Sequence, residues 1–472
     1  MTPTSYQFDY ATFCKTFNVK DDKAIDSLRL THTQDINFKL FPYKASGKAQ
    51  APIITDLEEV VSDFFRKSLN LETEPVEYKS LCDAIIAEMD IADEDIEIFK
   101  EMIHSLFFEG DDFVAKNLGL YPYQTKVNNK SADRLAGFLL DVFGLNGNDC
   151  NIIEEAMKKH PYNVVEKVVV DAIQASKTGT ARNYKSYFPV ILDVQEKFKK
   201  DFHFMLNTGM TSLDDLSNLL AIYYFYYMSQ ACVTLDNFGS GKRNSPVPLY
   251  YALDWEKVSK NRKCCGEGWE RIQASANHMF SHALTLEILN QHTISDVMLD
   301  YISLQEYVTE YPDQDAIIAS EIEKAEKTYT SCVGDYKKFE QIPYASGGTK
   351  TDIAIRHLYK CVEEQFLNTD RKRANQFYNE KFTEFCKTRW VKNRRKSGLV
   401  LNLTERDIIF LTKISIKDKD KIRLIDLYKE YEYRGIFLDN TSKEYLQEFF
   451  TKLNLIDKKS DSGDAQYVKR IL

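Results

Sequence analysis

The sequence of 472 residues lacks the features that mark membrane, fibrous and disordered proteins. Its longest nearly apolar run, Leu219 to Met228, has 10 residues, well below the ~20 that a membrane-spanning helix needs. Only 18 glycines and 11 prolines are present, and hydrophobic residues make up 43% of the chain. This composition excludes collagen-like and low-complexity chains and predicts a globular protein with more than one buried core. The apolar run itself is predicted to be a buried core helix.

Signs of secretion are also missing. The N-terminal residues MTPTSYQFDYATF contain no basic segment followed by an apolar one, so no signal peptide is predicted. The nine cysteines are odd in number, scattered and free of any CxxC pair, unlike a disulfide framework. We therefore expect a cytoplasmic protein whose cysteines are mostly reduced and buried.

Motifs of nucleotide-binding and hydrolytic enzymes are absent or incomplete. The segment GSGKR at 239–243 resembles part of a phosphate-binding loop, but Asp236 and Arg243 stand where that loop needs Gly and Ser or Thr. The dipeptide Pro312-Asp313 and the later EIEKAEK suggest a nuclease core, yet EIEKAEK has helical spacing and lacks the required strand. The sequence therefore predicts a flexible basic loop at GSGKR and no catalytic or cofactor-binding residues.

A zinc site is disfavoured as well. Cys264 and Cys265 precede His278 and His282 at a spacing similar to the second half of a zinc finger. Adjacent cysteines rarely bind one ion together, because zinc fingers separate their cysteines by two to four residues. We therefore expect loop cysteines, histidines that pack or cap, and no metal ligands.

Helical periodicity dominates from residue 56 onward. The first apolar stripe, at i, i+3 and i+4 spacing, consists of Leu57, Val60, Val61, Phe64 and Phe65. Similar patterns recur at about 93–108, 131–144, 162–176, 212–236, 267–290, 293–309, 314–340, 350–368 and 372–389. The predicted fold class is mainly α, a multi-helix scaffold with a different module at its C-terminus.

Composition and periodicity divide the chain into five segments. They are a mixed N-terminal segment (1–54), a helical domain (55–236), a loop-rich joint (237–266), a second helical domain (267–397) and a C-terminal module (398–472).

The C-terminal module has the pattern of a winged helix (α+β). Thr404 and Asp407 predict the cap of a first helix, Gly435 ends a second one, and TSKE at 441–444 predicts a capping box for a third. Two short extended runs then flank the turn-rich KKSDSGDA. Three helices followed by a hairpin are typical of this variant of the helix-turn-helix unit.

Several sequence blocks carry a family resemblance. They are the C-terminal stretch from NLTERDIIFLTKISI to KKSDSGDAQYVK, and the middle blocks LAIYYFYYMSQ, VPLYYALDWEKVSKNRKCCGEGW and FSHALTLEILN. These blocks, about half of the chain, resemble the DptG family of bacterial DNA phosphorothioation-dependent restriction systems. The resemblance implies a subunit that acts beside DptF-like and DptH-like partners against DNA lacking the host modification. In that family ATPase activity belongs to the partners, so the resemblance supplies a process and partners but no site residues.

One local basic cluster stands out in a chain of net charge −9. Residues 371–396, called the basic segment, hold 10 Lys or Arg residues against two acidic ones, a net charge of +8. Such a cluster can displace counterions from phosphates, and Tyr378 and Trp390 offer faces for stacking. The alternatives are a solvated helix or a dock for an acidic partner. The predicted nucleic-acid contacts are Arg371, Lys372, Arg373, Arg389, Lys392, Arg394, Arg395 and Lys396, with Lys458 and Lys459 in the wing.

The winged-helix pattern itself is almost neutral. Residues 404–472 carry 14 basic and 13 acidic side chains, and acidic groups repel the phosphate backbone. We therefore predict that the third helix docks a partner protein through Lys443, Gln447 and Lys452. The favoured function is a non-catalytic scaffold or coupling subunit that bridges ATPase partners and DNA in antiviral defence. The alternatives are a free-standing winged-helix DNA-binding regulator and a metal-dependent nuclease.

Overall fold

The structure, a computed structural model, describes most of the chain. The described residues are 6–32, 37–38, 57–71, 73–89, 91–126, 130–175, 187–243, 245–294, 297–458 and 466–471. Of the mixed N-terminal segment, residues 8 and 28 form isolated bridges with His292 and Val333. The N-terminal residues thereby lie against the second helical region.

The described chain is mainly helical, which confirms the predicted class at that level. The helices are α1 (Tyr10–Thr16), α2 (Glu58–Ser68), α3 (Tyr78–Glu88), α4 (Ile96–Phe107), α5 (Lys130–Phe143), α6 (Gly147–Lys159), α7 (Val164–Ala175), α8 (Asp193–Thr208), α9 (Leu213–Leu235), α10 (Lys263–Gly266), α11 (Trp269–Ala276), α12 (Met279–Leu289), α13 (Tyr301–Glu310), α14 (Asp315–Cys332), α15 (Lys350–Leu367), α16 (Lys372–Arg389), α17 (Glu405–Ile416), α18 (Leu424–Tyr433) and α19 (Asn440–Lys452).

Helix α9 lies at the centre of the core. All of its residues from Leu216 to Leu235 are buried, and it packs against α2, α8, α11 and α17. Ser212 caps its N-terminus by accepting a hydrogen bond from the Asp215 amide, as the sequence predicts. The prediction of a buried core helix is confirmed. Among the described residues, no helix combines the length and the apolar character that crossing a membrane requires.

Three predicted helical stretches have different bounds in the structure. The pattern at 293–309 is helical only from Tyr301, where α13 begins. The pattern at 267–290 is divided between α11 and α12, with the break at Asn277 and His278. The pattern at 314–340 ends at Cys332, because the following residues turn and form a short 3-10 helix. Periodicity fixes the face of a helix better than its ends.

Short strands form small sheets, mostly in the C-terminal part. The strands are β1 (Phe108–Glu109), β2 (Asp112–Phe113), β3 (Tyr250–Leu253), β4 (Val391–Asn393), β5 (Leu399–Leu403), β6 (Lys421–Arg423), β7 (Phe437–Leu438), β8 (Ile456–Lys458) and β9 (Gln466–Lys469).

A four-stranded sheet has the order β4-β5-β3-β7. Strand β3 pairs in parallel with β5, Tyr251 opposite Leu401, and with β7, Tyr251 opposite Leu438, while β4 is antiparallel to β5. Strand β3 and helix α10 lie in the segment predicted as a loop-rich joint, which is therefore more regular than its Gly, Pro and Asn content indicates. This sheet connects the middle of the chain to the C-terminal module.

The C-terminal module follows the order α17, β6, α18, β7, α19, β8 and β9, with a three-stranded antiparallel sheet β6-β9-β8. The predicted Thr404–Asp407 capping box is present at α17. The third helix starts earlier than predicted, because Asp439 rather than Thr441 caps α19 by accepting from the Ser442 amide. Gly435 ends α18 at φ +76°, a conformation that glycine adopts without strain.

A buried ion pair joins this module to the helical body. Arg434, after α18, donates two hydrogen bonds of 2.7 and 2.8 Å to Asp201 of α8. Tyr223 and Lys417 also bind this carboxylate, at 2.7 and 2.9 Å. The Arg434 side chain is fully buried, and the exposed fraction of Asp201 is 1%.

Candidate functional site

The basic segment is distributed over α16, β4 and the turn that leads into β5. Helix α16 carries Lys372, Arg373 and Lys387 on exposed positions. The β4–β5 turn exposes Arg395 and Lys396, and Arg395 adopts φ +56° there. These five residues, called the exposed cations, are the members of the basic segment that are exposed among the described side chains, which do not include that of Lys381.

Four other predicted nucleic-acid contacts bind groups of the protein itself. Arg371 pairs with Asp335 at 2.6 Å, Arg389 donates to Asn218 at 2.6 Å, and Lys392 pairs with Asp254. Arg394 donates to the carbonyl oxygens of Leu253, Asp254 and Glu256 and to the Asn402 side chain, at 2.6 to 3.3 Å. The contacts of Lys392 and Arg394 hold the end of β3 in place. All four sets of contacts reduce the positive charge that is available to DNA.

The aromatic residues of the basic segment do not face solvent. Tyr378 and Trp390 are 6% and 1% exposed, and the Trp390 ring lies 5.2 Å from that of Phe225 in the core. The predicted stacking faces are therefore wrong, because the Trp390 ring packs against α9 and the Tyr378 ring lies 4.8 Å from that of Phe280 on α12. Any contact with nucleic acid at this segment has to be electrostatic.

The remaining predicted contacts lie at the C-terminal module. Lys459 and the Lys458 side chain fall outside the described residues. Lys443 contacts Glu432 at 3.4 Å and lies over the Tyr428 ring, Gln447 is half-buried, and Lys452 is exposed. Of the three predicted docking residues, Lys452 is thus the most accessible on α19.

The GSGKR segment is packed rather than flexible. It begins in a short 3-10 helix, Phe238–Ser240, and Arg243 forms two hydrogen bonds with Asp300, of 3.0 and 2.7 Å, at the N-terminus of α13. A Cβ added at Gly241 would meet Ile302 and Thr234 at 2.9 Å. The segment is anchored to α13, and the prediction of a flexible loop is wrong at these positions.

Asp236, just before that segment, binds both histidines of the considered zinc motif. Its Oδ1 lies 2.9 Å from His278 Nδ1 and 3.0 Å from His282 Nε2. Burial by itself would raise the pKa of Asp236, but the hydrogen bonds from the two imidazoles lower it strongly. The hydrogen bond with Asp236 raises the pKa of the half-buried His278, whereas burial lowers that of His282.

Cys264 and Cys265 do not join these histidines. They lie in α10 rather than in a loop, and Cys265 Sγ is 3.3 Å from the Ser259 carbonyl oxygen. Among the described residues, the one compact group of three side chains able to hold a metal consists of other residues, Glu326, His357 and Cys361.

Asp236 and His278 open onto a cleft of about 1010 Å³. Arg356, Tyr359 and Lys360 from α15 line one wall, and Tyr344 forms part of the rim. Sequence reasoning singled out GSGKR and the histidines separately but missed the cleft, because Asp236 and His278 are distant in the sequence and meet only through the fold.

No protein-family model matches this chain. No curated protein matches it either. The resemblance to the DptG family rests on the sequence blocks themselves.

Proposed function

We propose that the chain is a non-catalytic scaffold or coupling subunit of a phosphorothioation-dependent DNA restriction complex, bridging DptF-like and DptH-like partners and DNA. The proposal rests on where the exposed cations and helix α19 lie relative to one sheet. Two of the exposed cations, Arg395 and Lys396, lie on the turn between β4 and β5, while α19 packs against the other two strands of the same sheet, β3 and β7. A sheet with a positive turn on one half and a helix for partner docking on the other half suits a bridge.

The C-terminal module is proposed to be a winged helix. Support comes from the order helix, strand, helix, helix and two strands, with the last strand between the other two in the sheet. In this proposal α19 is the third helix, and β8 and β9 are the paired strands that follow it. Its near-neutral charge favours protein docking over DNA reading by α19.

The proposal that this chain has no catalytic activity of its own rests on the contacts of the GSGKR segment. A phosphate-binding loop needs free backbone N–H groups and a lysine beside them. In this chain Arg243 occupies the last position and binds Asp300, the residue that caps α13, so the segment braces the N-terminus of this helix. ATP turnover is accordingly assigned to the partners.

The proposal is tested by removing the exposed cations. One variant replaces Lys372, Arg373, Lys387, Arg395 and Lys396 with Ala. A matched control replaces five exposed lysines elsewhere with Ala, so that the net charge changes equally. The control positions are Lys79, Lys116, Lys158, Lys159 and Lys167.

Electrophoretic shift titrations at several salt concentrations, with the chain alone and with its partners, give the readout. Each lost phosphate contact should flatten the slope of log K against log salt by ~0.9. The variant is expected to bind DNA weakly and with a smaller slope, whereas the control retains the wild-type slope. Equal binding by the variant and the wild type would contradict the proposed contact.

The second candidate, a free-standing DNA-binding regulator, is favoured by the same C-terminal topology. Regulators of this type bind two half-sites as dimers. Solution mass and co-purification with DptF-like and DptH-like proteins distinguish the two functions. A dimer that does not bind the partners, and that loses DNA binding when Lys443, Gln447 and Lys452 are replaced, would establish the regulator.

A further inference from the structure

Three buried side chains with metal-binding atoms converge between α14 and α15. Glu326 comes from α14, while His357 and Cys361 are four residues apart on α15 and therefore lie on one helix face. One ligand atom from each residue lies within 4.8 Å of the other two. Their exposed fractions are 8%, 5% and 0%, so this group differs from the loose acidic clusters of protein surfaces.

The hydrogen bonds of His357 orient its ring for a ligand. Its Nε2 lies 3.1 Å from the Ile342 carbonyl oxygen, which can only accept, so Nε2 carries the proton. Its Nδ1 faces Glu326 Oε2 at 2.7 Å and Cys361 Sγ at 3.9 Å. The distance of 2.7 Å is that of a hydrogen bond, so Glu326 and His357 share a proton in the metal-free chain. A metal ion with bonds of about 2.0–2.2 Å to nitrogen and oxygen would take the place of this proton after the two atoms move slightly apart.

We propose that Glu326 Oε2, His357 Nδ1 and Cys361 Sγ bind one Zn²⁺ ion. Imidazole, thiolate and carboxylate are the ligand types that zinc uses, and the thiolate selects against Mg²⁺ and Ca²⁺. A donated N–H from the second ring nitrogen to a backbone carbonyl is the arrangement that orients histidines in metal sites. Zinc binding displaces the thiol proton of Cys361 and the proton shared by Glu326 and His357 to solvent.

The ion would have a structural consequence at the cleft. His357 carries the Tyr344 ring stacked on it, with centroids 3.7 Å apart, and binds the backbone of Ile342. Both residues belong to the chain between α14 and α15 that lines the cleft. Zinc therefore ties α14 to α15 and fixes this rim. Three protein ligands leave one coordination position for water.

The competing description is a metal-free hydrogen bond between Glu326 and His357. Burial raises the pKa of Glu326 and of Cys361, so a shared proton and a neutral thiol satisfy the same geometry. The two descriptions differ in whether the thiol is a ligand. Cobalt reports this difference directly, because Co²⁺ bound to a thiolate gains a charge-transfer absorption that Co²⁺ bound to nitrogen and oxygen lacks.

The experiment titrates the chelator-treated full chain with Co²⁺ and then displaces it with Zn²⁺. Wild type is expected to bind about one ion per chain with a thiolate–cobalt band that Zn²⁺ removes. Cys361→Ser should lose the band and at least 100-fold in affinity. Cys82→Ser, another buried cysteine on α3, is the matched control and should keep both.

A second measurement keeps the test valid where Cys361→Ser folds poorly. Zn²⁺ should raise the melting temperature of wild type and of Cys82→Ser, but not that of Glu326→Gln, which keeps the side-chain size. A wild-type chain without a thiolate–cobalt band overturns the proposal. A band that persists in Cys361→Ser also overturns it, because the ion would then lie at another cysteine.

Discussion

Replacing Arg434 with Met should weaken the attachment of the C-terminal module to the helical body. Methionine retains much of the apolar stem of arginine, so the change removes mainly the charge and its hydrogen bonds. In the wild type the guanidinium binds Asp201 twice, Glu430 at 2.8 Å and the Ile414 carbonyl oxygen at 3.2 Å. When the guanidinium is removed, Lys417 and Tyr223 still bind the buried Asp201 carboxylate.

The magnitude follows from the burial of the pair. Breaking a buried ion pair by removing one partner costs ~3–5 kcal/mol, because the other charge stays buried. Lys417 still pairs with Asp201 at 2.9 Å, so we expect the low end, a loss of ~3 kcal/mol in the free energy of unfolding. Replacing both Asp201 and Arg434 with apolar residues should cost less than the two single changes added together.

Urea unfolding followed by tryptophan fluorescence and by far-ultraviolet circular dichroism measures this loss. Trp255 contacts Phe449 of α19 with ring centroids 4.7 Å apart and contributes the part of the fluorescence signal that depends on the module, to which the signals of the buried Trp269 and Trp390 are added. Circular dichroism reports mainly on the helical body. In Arg434→Met the fluorescence transition should move to lower urea than the dichroism transition. Lys159→Met removes the exposed pair with Glu155 and should change stability by ~0.5 kcal/mol or less. An Arg434→Met chain as stable as this control would refute the reasoning.

The contribution of the same ion pair to the stability of the fold depends on pH. Burial by itself would raise the pKa of Asp201, but Arg434 and Lys417 lower it below the ordinary value. A carboxyl group whose pKa is lower in the folded state stabilises the fold above its unfolded pKa and loses that contribution as pH falls through the folded pKa. The stability difference between wild type and Arg434→Met should therefore be full at neutral pH and shrink only below about pH 4.

Three further changes test how particular residues are used. Arg394→Ala should lower the free energy of unfolding by ~2 kcal/mol, because several charged hydrogen bonds are lost, and leave the salt slope of DNA binding nearly unchanged; a flattened slope in a well-folded variant would instead make Arg394 a phosphate contact. Gly435→Ala should cost ~1–3 kcal/mol in urea unfolding, because φ is positive and the new Cβ would lie 2.6 Å from Tyr226; an unchanged midpoint would contradict this. The purified chain should hydrolyse no ATP, and robust turnover that Lys242→Ala abolishes would show that the GSGKR segment binds nucleotide.

Sequence patterns correctly predicted those elements that are determined by residues close together in the chain. The run from Leu219 to Met228 became the centre of α9, and Thr404 with Asp407 forms the capping box of α17. Strand β3 was missed because its partners β5 and β7 lie ~150 residues or more away in the chain. A four-residue strand flanked by glycine, proline and asparagine has no local signal that distinguishes it from a loop.

The candidate site shows the same division. A count of charges located the basic segment, but it could not tell Arg395, which is exposed, from Arg394, which holds the end of β3. That distinction depends on the carbonyl oxygens of residues 253–256, which the fold brings to Arg394. The sequence also did not predict that Glu326 and His357 lie close together. Their distance is set by the packing of α14 and α15 and by the chain between these helices.

The proposed bridging role is consistent with how one short loop is held. The chain after β3 is bound from the β4–β5 turn by Arg394, and from α19 through Arg262. Arg262 binds Asp439 at 2.9 Å, Ser442 at 2.7 Å and Glu256 at 3.0 Å, and Glu256 also offers its carbonyl oxygen to Arg394. Arg394 thus ties this stretch of chain to the β4–β5 turn, and Arg262 ties it to the start of α19, which sets the spacing between the cations of the turn and α19. A fixed spacing, rather than a conformational switch, is what a scaffold between DNA and a partner protein requires.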